Sequence, residues 1–305
     1  MSNHCGWHEG IRYIYSKAPR KKDGERTSKR QRFNNGVTLV FFPGFMSSMR
    51  SLKATKLEGL VSEDINYLRF DYRETGESMS GTAPSSSASK FVDMTLSTWI
   101  QDCIKLIEHV VDKGSSLFFV GSSMGGWICV LVALHFKYRM SGIITLAAAP
   151  DFTNDILQSM TVDQRQDVIK KGYFSQESEY SPEDPYIIGG ALLKDANEQH
   201  LLLWKDDYSS SLGKRTQEGV HERQREIATL TCPITLVHGI MDSDVSYEKS
   251  IALSKLFLMS KSAEALLVRD GDHRLTKWVG EGRLNSLVML MILRVSGRDE
   301  YEAQI

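Results

Sequence analysis

The chain has 305 residues, 41% of them hydrophobic and 25% charged, and its 37 Lys and Arg against 38 Asp and Glu leave a net charge of −1. A chain of this length buries roughly three quarters of its unfolded surface and needs no disulfide or metal staple, and near-neutrality argues against general attachment to nucleic acid or an anionic membrane. The longest apolar stretches, 127–136 and 284–293, fall far short of the roughly 20 residues of a bilayer span.

The first ten residues lack a basic segment followed by an apolar run, so no leader is expected. The first strand-like run is Ile11-Arg-Tyr-Ile-Tyr15, with His4 and His8 ahead of it. Residues 1–35 carry nine basic and three acidic side chains, and 17–35 read as a flexible basic loop between two strands. Val37–Phe42 and Ile65–Phe70 are continuous apolar runs, as parallel strands buried on both faces would be. The serine-rich segment 81–89 reads as a flexible excursion. Trp99, Cys103, Leu106, Ile107 and Val110 recur at helical spacing within 97–111. A strand at 117–120, an apolar helix at 124–136 and a strand at 142–149 follow.

Residues 151–231 break this rhythm. They show no strand-like run, and helical patterns occur at 156–171, 191–204 and 217–230. They read as a helical cap inserted into a core made of 11–150 and 232–297. Its apolar phrases at 186–188, 192–193 and 201–204 either shape a cleft or dock the insertion. Strands at 234–237 and 265–268 and a closing helix at 284–295 complete the α/β alternation, which implies a mostly parallel sheet with helices on both faces. Ligands of such sheets bind at the carboxyl edge, where this insertion lies.

Chemistry concentrates at that edge. Gly121-Ser-Ser123-Met-Gly125 is a G-x-S-x-G placed between a strand and a helix, where a sharp elbow holds the central serine in a strained conformation. A serine hydroxyl needs a positioned base and an acid to orient it. His273, in the turn Asp270-Gly-Asp-His273, is the best-placed base; His238 ends a strand before its own turn and is expected to pack or hydrogen-bond there. Asp242 is the preferred acid, over Asp244, which could cap a helix at 247–258, and over Asp151. The order Ser123, Asp242, His273 is that of an α/β-hydrolase triad. The oxyanion donors expected are the backbone N–H groups of Met124 and Phe45.

Phe42-Pro-Gly-Phe45, Arg69-Phe-Asp-Tyr72, the elbow 121–126, Val237-His-Gly-Ile-Met-Asp242 and Asp272-His-Arg274 together resemble the α/β-hydrolase superfamily. The phrases at 43–49 and 120–127 are similar to a branch of mitochondrial palmitoyl-protein thioesterases and acyl-glucuronide esterases. The resemblance implies an α/β-hydrolase fold with a helical cap, and a serine hydrolase acting on a small ester or an S-acylated protein through Ser123, His273 and Asp242. A non-catalytic binding protein on this fold, or a peptidase using the same triad, are the alternatives. No cofactor and no metal are implied, since the four cysteines form no CxxC and no His stands at finger-like spacing from such a pair. Nucleic acid is not an expected partner. Free cysteines and the missing leader favour the cytoplasm, whereas the resemblance implies a mitochondrial address.

Overall fold

A computed structural model describes residues 2–17, 36–80, 90–176, 185–203 and 214–296. Of the expected loop at 17–35, Lys17 is the last residue of a strand and 18–35 lie outside the described residues, as do the serine-rich segment 81–89 and Trp204. The strands are β1 (Ser2–His8), β2 (Ile11–Lys17), β3 (Val37–Phe42), β4 (Ile65–Phe70), β5 (Ser116–Ser122), β6 (Met140–Leu146), β7 (Tyr173–Gln176), β8 (Tyr186–Gly189), β9 (Ile234–Gly239) and β10 (Ala263–Val268). The α-helices are α1 (Leu52–Glu58), α2 (Leu96–Val110), α3 (Met124–His135), α4 (Phe152–Ser159), α5 (Val162–Lys171), α6 (Gly190–Gln199), α7 (Lys214–Ala228), α8 (Glu248–Ser254), α9 (Thr276–Gly280) and α10 (Arg283–Ser296).

Eight strands form one sheet in the order β1-β2-β4-β3-β5-β6-β9-β10. From β4 to β10 every pairing is parallel, and β1 and β2 add an antiparallel end. The pattern of β3, apolar at five of six positions and buried at all six, reflects burial on both faces. One face packs Leu106, Trp127, Ile128 and Leu253, from α2, α3 and α8. The other packs Leu57, Trp278, Leu284 and Val288, from α1, α9 and α10. Helix α3 is buried from Met124 through Ala133, so it is apolar all round, as a helix enclosed between sheet and cap must be.

Three expectations need correction. A strand, β1, precedes Ile11, and it contains His4 and His8; its pairing with β2 through a tight turn at Glu9-Gly10 supplies the partners its polar sequence did not advertise. The inserted segment contains strands, since β7 and β8 pair as a two-stranded antiparallel ribbon, too short for alternation to register. The single helical pattern at 156–171 is two helices, because Thr161 caps α5 with a reciprocal capping box to Gln164 and thereby ends the preceding turn.

The described residues of 151–231 rest on the sheet-covering helices through polar ties. Asp195 accepts from Ser97 N–H at 2.8 Å and from Ser97 Oγ at 2.7 Å, and Trp127 Nε1–H donates to the His200 carbonyl at 3.1 Å. Their own small core joins Met160, Phe174, Ile188 and Leu193. Cys103, Cys129 and Cys232 are free and buried, and burial raises all three thiols, Cys232 to about 12, which keeps them unreactive.

Candidate active site

The β5–α3 junction builds the first element. Ser123 sits between them at φ 53° and ψ −122°, a conformation costly for any residue with a Cβ. Its N–H donates to the Leu146 carbonyl at 2.9 Å, and its carbonyl accepts from Gly126 and Ala149, so the neighbouring strand end enforces the strain. The turn is possible because Gly125 has no side chain: a Cβ there would strike the carbonyl oxygens of Phe42 and Pro43.

The second element is the pair of loops after β9 and β10. They are cross-tied by Ile240 N–H to Val268 O at 2.8 Å and Met241 N–H to Gly271 O at 2.9 Å. These bonds put Asp242 and His273 side by side. His273 Nδ1 lies 2.8 Å from Asp242 Oδ2, and His273 Nε2 lies 3.0 Å from Ser123 Oγ. Because a carboxylate only accepts, Nδ1 carries the proton and Nε2 is left to accept from the serine hydroxyl. Of the acids weighed from sequence, Asp242 alone joins this chain. Asp244 is exposed and contributes only its backbone N–H, to Asp242 Oδ1 at 3.0 Å; α8 starts beyond its reach, after Tyr247. Asp151 is buried elsewhere, accepting from Leu202 and Leu203 N–H.

His238 is the site residue whose partner sequence reasoning missed. Fully buried, it places Nε2 3.0 Å from Asp242 Oδ2 and 2.9 Å from the Val245 carbonyl, and Nδ1 2.7 Å from Ser250 Oγ. A carbonyl cannot donate, so Nε2 carries the proton and shares it between the Val245 carbonyl and the acid. Burial would raise the Asp242 pKa, but hydrogen bonds from His238 and His273, the field of His273 and the Val245 N–H outweigh it and hold the carboxyl well below its usual range. The available signal was the spacing: His238 and Asp242 are four apart across one strand-end turn.

The third element is the loop after β3. Tyr72 Oη donates to the Pro43 carbonyl at 3.1 Å, and Asp71 accepts from Met49 N–H at 2.6 Å and Glu77 N–H at 2.8 Å. Thus Asp71-Tyr72 fixes the loop against the elbow; a Cβ on Gly44 would lie 3.3 Å from Ser123 Cβ. Met124 is the first residue of α3, so its N–H has no helical acceptor. Phe45 N–H has no hydrogen-bond acceptor among the described residues.

A cleft of about 880 Å³ opens over Ser123 and His273. Phe45, Phe152, Ile156, Tyr186 and Ile188 line it from the cap side. Leu192, Leu193, Leu201 and Leu202 are buried and pack the segment in place instead. On the α1 side Ser51, Lys53, Ser122, Arg274 and Thr276 stand among the apolar Phe41 and Leu52, and Asp155, Ser159 and Gln176 add polar groups on the cap side. Burial pulls the Lys53 ammonium down to about 8, Asp272 and Asp242 acting against it and Arg274 with it. Among the described residues, one group of His, Cys, Asp and Glu side chains converges closely enough to hold a metal ion, namely Asp242, Asp244 and His273. Both Asp242 oxygens in it already accept N–H bonds.

The chain is similar to several known proteins. The family model described as serine aminopeptidase, S33 (Hydrolase_4) matches residues 35–276. The mitochondrial palmitoyl-protein thioesterase ABHD10 of Mus musculus is 26% identical over 238 residues, covering 78% of this chain and 69% of that protein. The Homo sapiens protein of the same name is 28% identical over 238 residues, covering 78% and 67%. The solved structure of α/β hydrolase domain-containing protein 10 from mouse superposes with a TM-score of 0.67 at 21% identity, covering 97% of this chain and all of that one. With its parallel sheet and elbow, the chain belongs to the serine aminopeptidase S33 family of α/β hydrolases.

Proposed function

We propose that this chain is a serine hydrolase that cleaves an ester or thioester through an acyl-enzyme. Ser123 Oγ attacks the acyl carbonyl as His273 Nε2 takes its proton, and Asp242 orients the imidazole and stabilises the imidazolium. The oxyanion is received by Phe45 and Met124 N–H, each donor contributing about 3–4 kcal/mol to the transition state. His273 returns its proton to the leaving group, then draws one from the water that releases the acid. The observation carrying this reading is the unbroken chain Ser123–His273–Asp242 with links of 3.0 and 2.8 Å at a strained elbow.

The apolar cap-side wall suits a fatty or aromatic acyl group, in keeping with relatives named palmitoyl-protein thioesterases, so an S-acylated protein or an acyl glucuronide is a candidate substrate. The unpaired cysteines fit a reducing, intracellular setting, cytoplasmic or, as in those relatives, mitochondrial. The test is labelling by a fluorophosphonate beside Ser123→Ala, followed by turnover of decanoyl thioester, oxyester and amide. Labelling lost in the variant, and a turnover loss of roughly 10⁶, are expected. A folded protein that neither labels nor turns over would return the binding-protein alternative, and preferred cleavage of the amide the peptidase alternative.

A further inference from the structure

Two cations, Lys53 and Arg274, line the cleft, and neither has a role in the steps above. Lys53 Nζ reaches into the cleft and donates to Ser122 Oγ at 3.0 Å. Ser122 is itself buried and adjoins the nucleophile in sequence, so this ammonium is anchored beside the reacting serine. One hydroxyl uses one of the three donors of an ammonium. Among the described residues Lys53 has no carboxylate within ion-pair distance. Arg274 lines the same side and repels Lys53; Asp272 and Asp242 attract it from beyond ion-pair distance, Asp242 being hydrogen-bonded to two histidines and Asp272 Oδ1 to the Leu275 N–H. A partly desolvated cation held beside a second one is an unfavourable arrangement that an anionic ligand would relieve.

We propose that Lys53, with Arg274, forms a subsite for an anionic group on the leaving-group side of the scissile bond, so that the preferred substrates are acyl esters or thioesters whose alcohol or thiol bears a carboxylate or phosphate. The placement follows from where the charges stand: Phe152, Ile156 and Tyr186 offer an acyl chain aromatic and aliphatic cover on the cap side, whereas both cations lie on the α1 side, which would then receive the leaving group. The inference rests on the reading of Ser123 as nucleophile for its assignment of sides.

Two measurements separate the inference from that reading. Calorimetric binding of N-decanoylglycine, a carboxylate, is compared with that of the uncharged N-decanoylglycinamide. Turnover of the S-decanoyl thioester of mercaptoacetate is compared with that of mercaptoacetamide. A charge-assisted hydrogen bond predicts about tenfold tighter binding of the carboxylate and a similar ratio of kcat/KM. Lys53→Gln, which keeps a donor for Ser122, should bring both ratios towards one, and Lys53→Arg should restore them. On the unmutated protein, cationic N-decanoylethylenediamine should bind more weakly than the glycinamide, a comparison that needs no variant. No carboxylate preference, or one that survives Lys53→Gln, overturns the subsite. Thioester turnover without the preference leaves the serine-hydrolase reading standing; carboxylate-selective binding without turnover of either thioester leaves the subsite and removes that reading.

Discussion

Replacing Ser123 separates the stability cost of the elbow from its chemistry. At φ 53° and ψ −122° a residue with a Cβ carries about 1–3 kcal/mol of backbone strain. For glycine these angles are the mirror image of an ordinary extended conformation and carry none. Ser123→Ala and Ser123→Gly both delete Oγ and its bond to His273, so that loss cancels between them. Glycine gives back about 0.5–1 kcal/mol in unfolded-chain entropy. The glycine variant should therefore be the more stable by about 0.5–2 kcal/mol. With an unfolding entropy of about 2.1 cal/mol/K per residue over 305 residues, this is a rise in Tm of about 1–3 °C. Urea unfolding followed by circular dichroism measures it directly, provided both variants share one m-value. A glycine variant equal to or less stable than the alanine variant would refute the claim that the elbow stores strain.

The acid is tested by Asp242→Asn, which should lower kcat about 10⁴-fold, whereas Asp244→Asn should change it by no more than a few fold, because the hydrogen bond Asp244 gives the site is from its backbone N–H. The reverse order in steady-state kinetics would move the acid to Asp244. Asp151 gives a pH signature: burial pushes its carboxyl up to about 7, against the Leu203 and Leu202 N–H donors and Lys249. Its folded value lies above the unfolded value of about 3.9, so the folded state binds the extra proton between them. Its favourable contribution is fully present below pH 4 and is lost as pH rises through 7. Asp151→Asn should flatten the fall of unfolding free energy between about pH 4 and 7, by at most about 1.4 kcal/mol per pH unit. An unchanged slope would show that Asp151 titrates normally.

The strands of the parallel sheet and the Ser123 elbow were legible because each writes its constraint locally. β3 must be apolar on both faces, and Gly125 must lack a side chain where the chain passes Phe42 and Pro43. β1 was not legible, because an edge strand such as Ser2–His8 needs only backbone partners and can be polar. The bond from His238 to Asp242 depends on how far the turn after β9 folds back, which is set by its cross-ties to Val268 and Gly271, some 30 residues away. Lys53 was missed for a similar reason: nothing in its neighbourhood marks it, and it becomes a cleft residue only because α1 packs against β4, α9 and α10, from where its side chain reaches Ser122 at the end of β5.

These placements imply a division of labour within the site. Ser123, Asp242 and His273 each hang from backbone bonds between neighbouring strand ends: Ser123 to Leu146, Ile240 to Val268, Met241 to Gly271. A misplacement of about 1 Å at a reacting group can cost 10²-fold in rate, so the sheet edge is where rigidity is required. The acyl-side wall stands differently. Its Ile188 and Tyr186 are supported by a core of four buried side chains, tied to the rest through Asp195 and His200. A core this small yields to substitution more readily than the sheet does. Changes at Ile156, Tyr186 or Ile188 should therefore alter which acyl chain is accepted while leaving the Ser123–His273–Asp242 geometry intact, and changes at Leu146, Val268 or Gly271 should do the opposite.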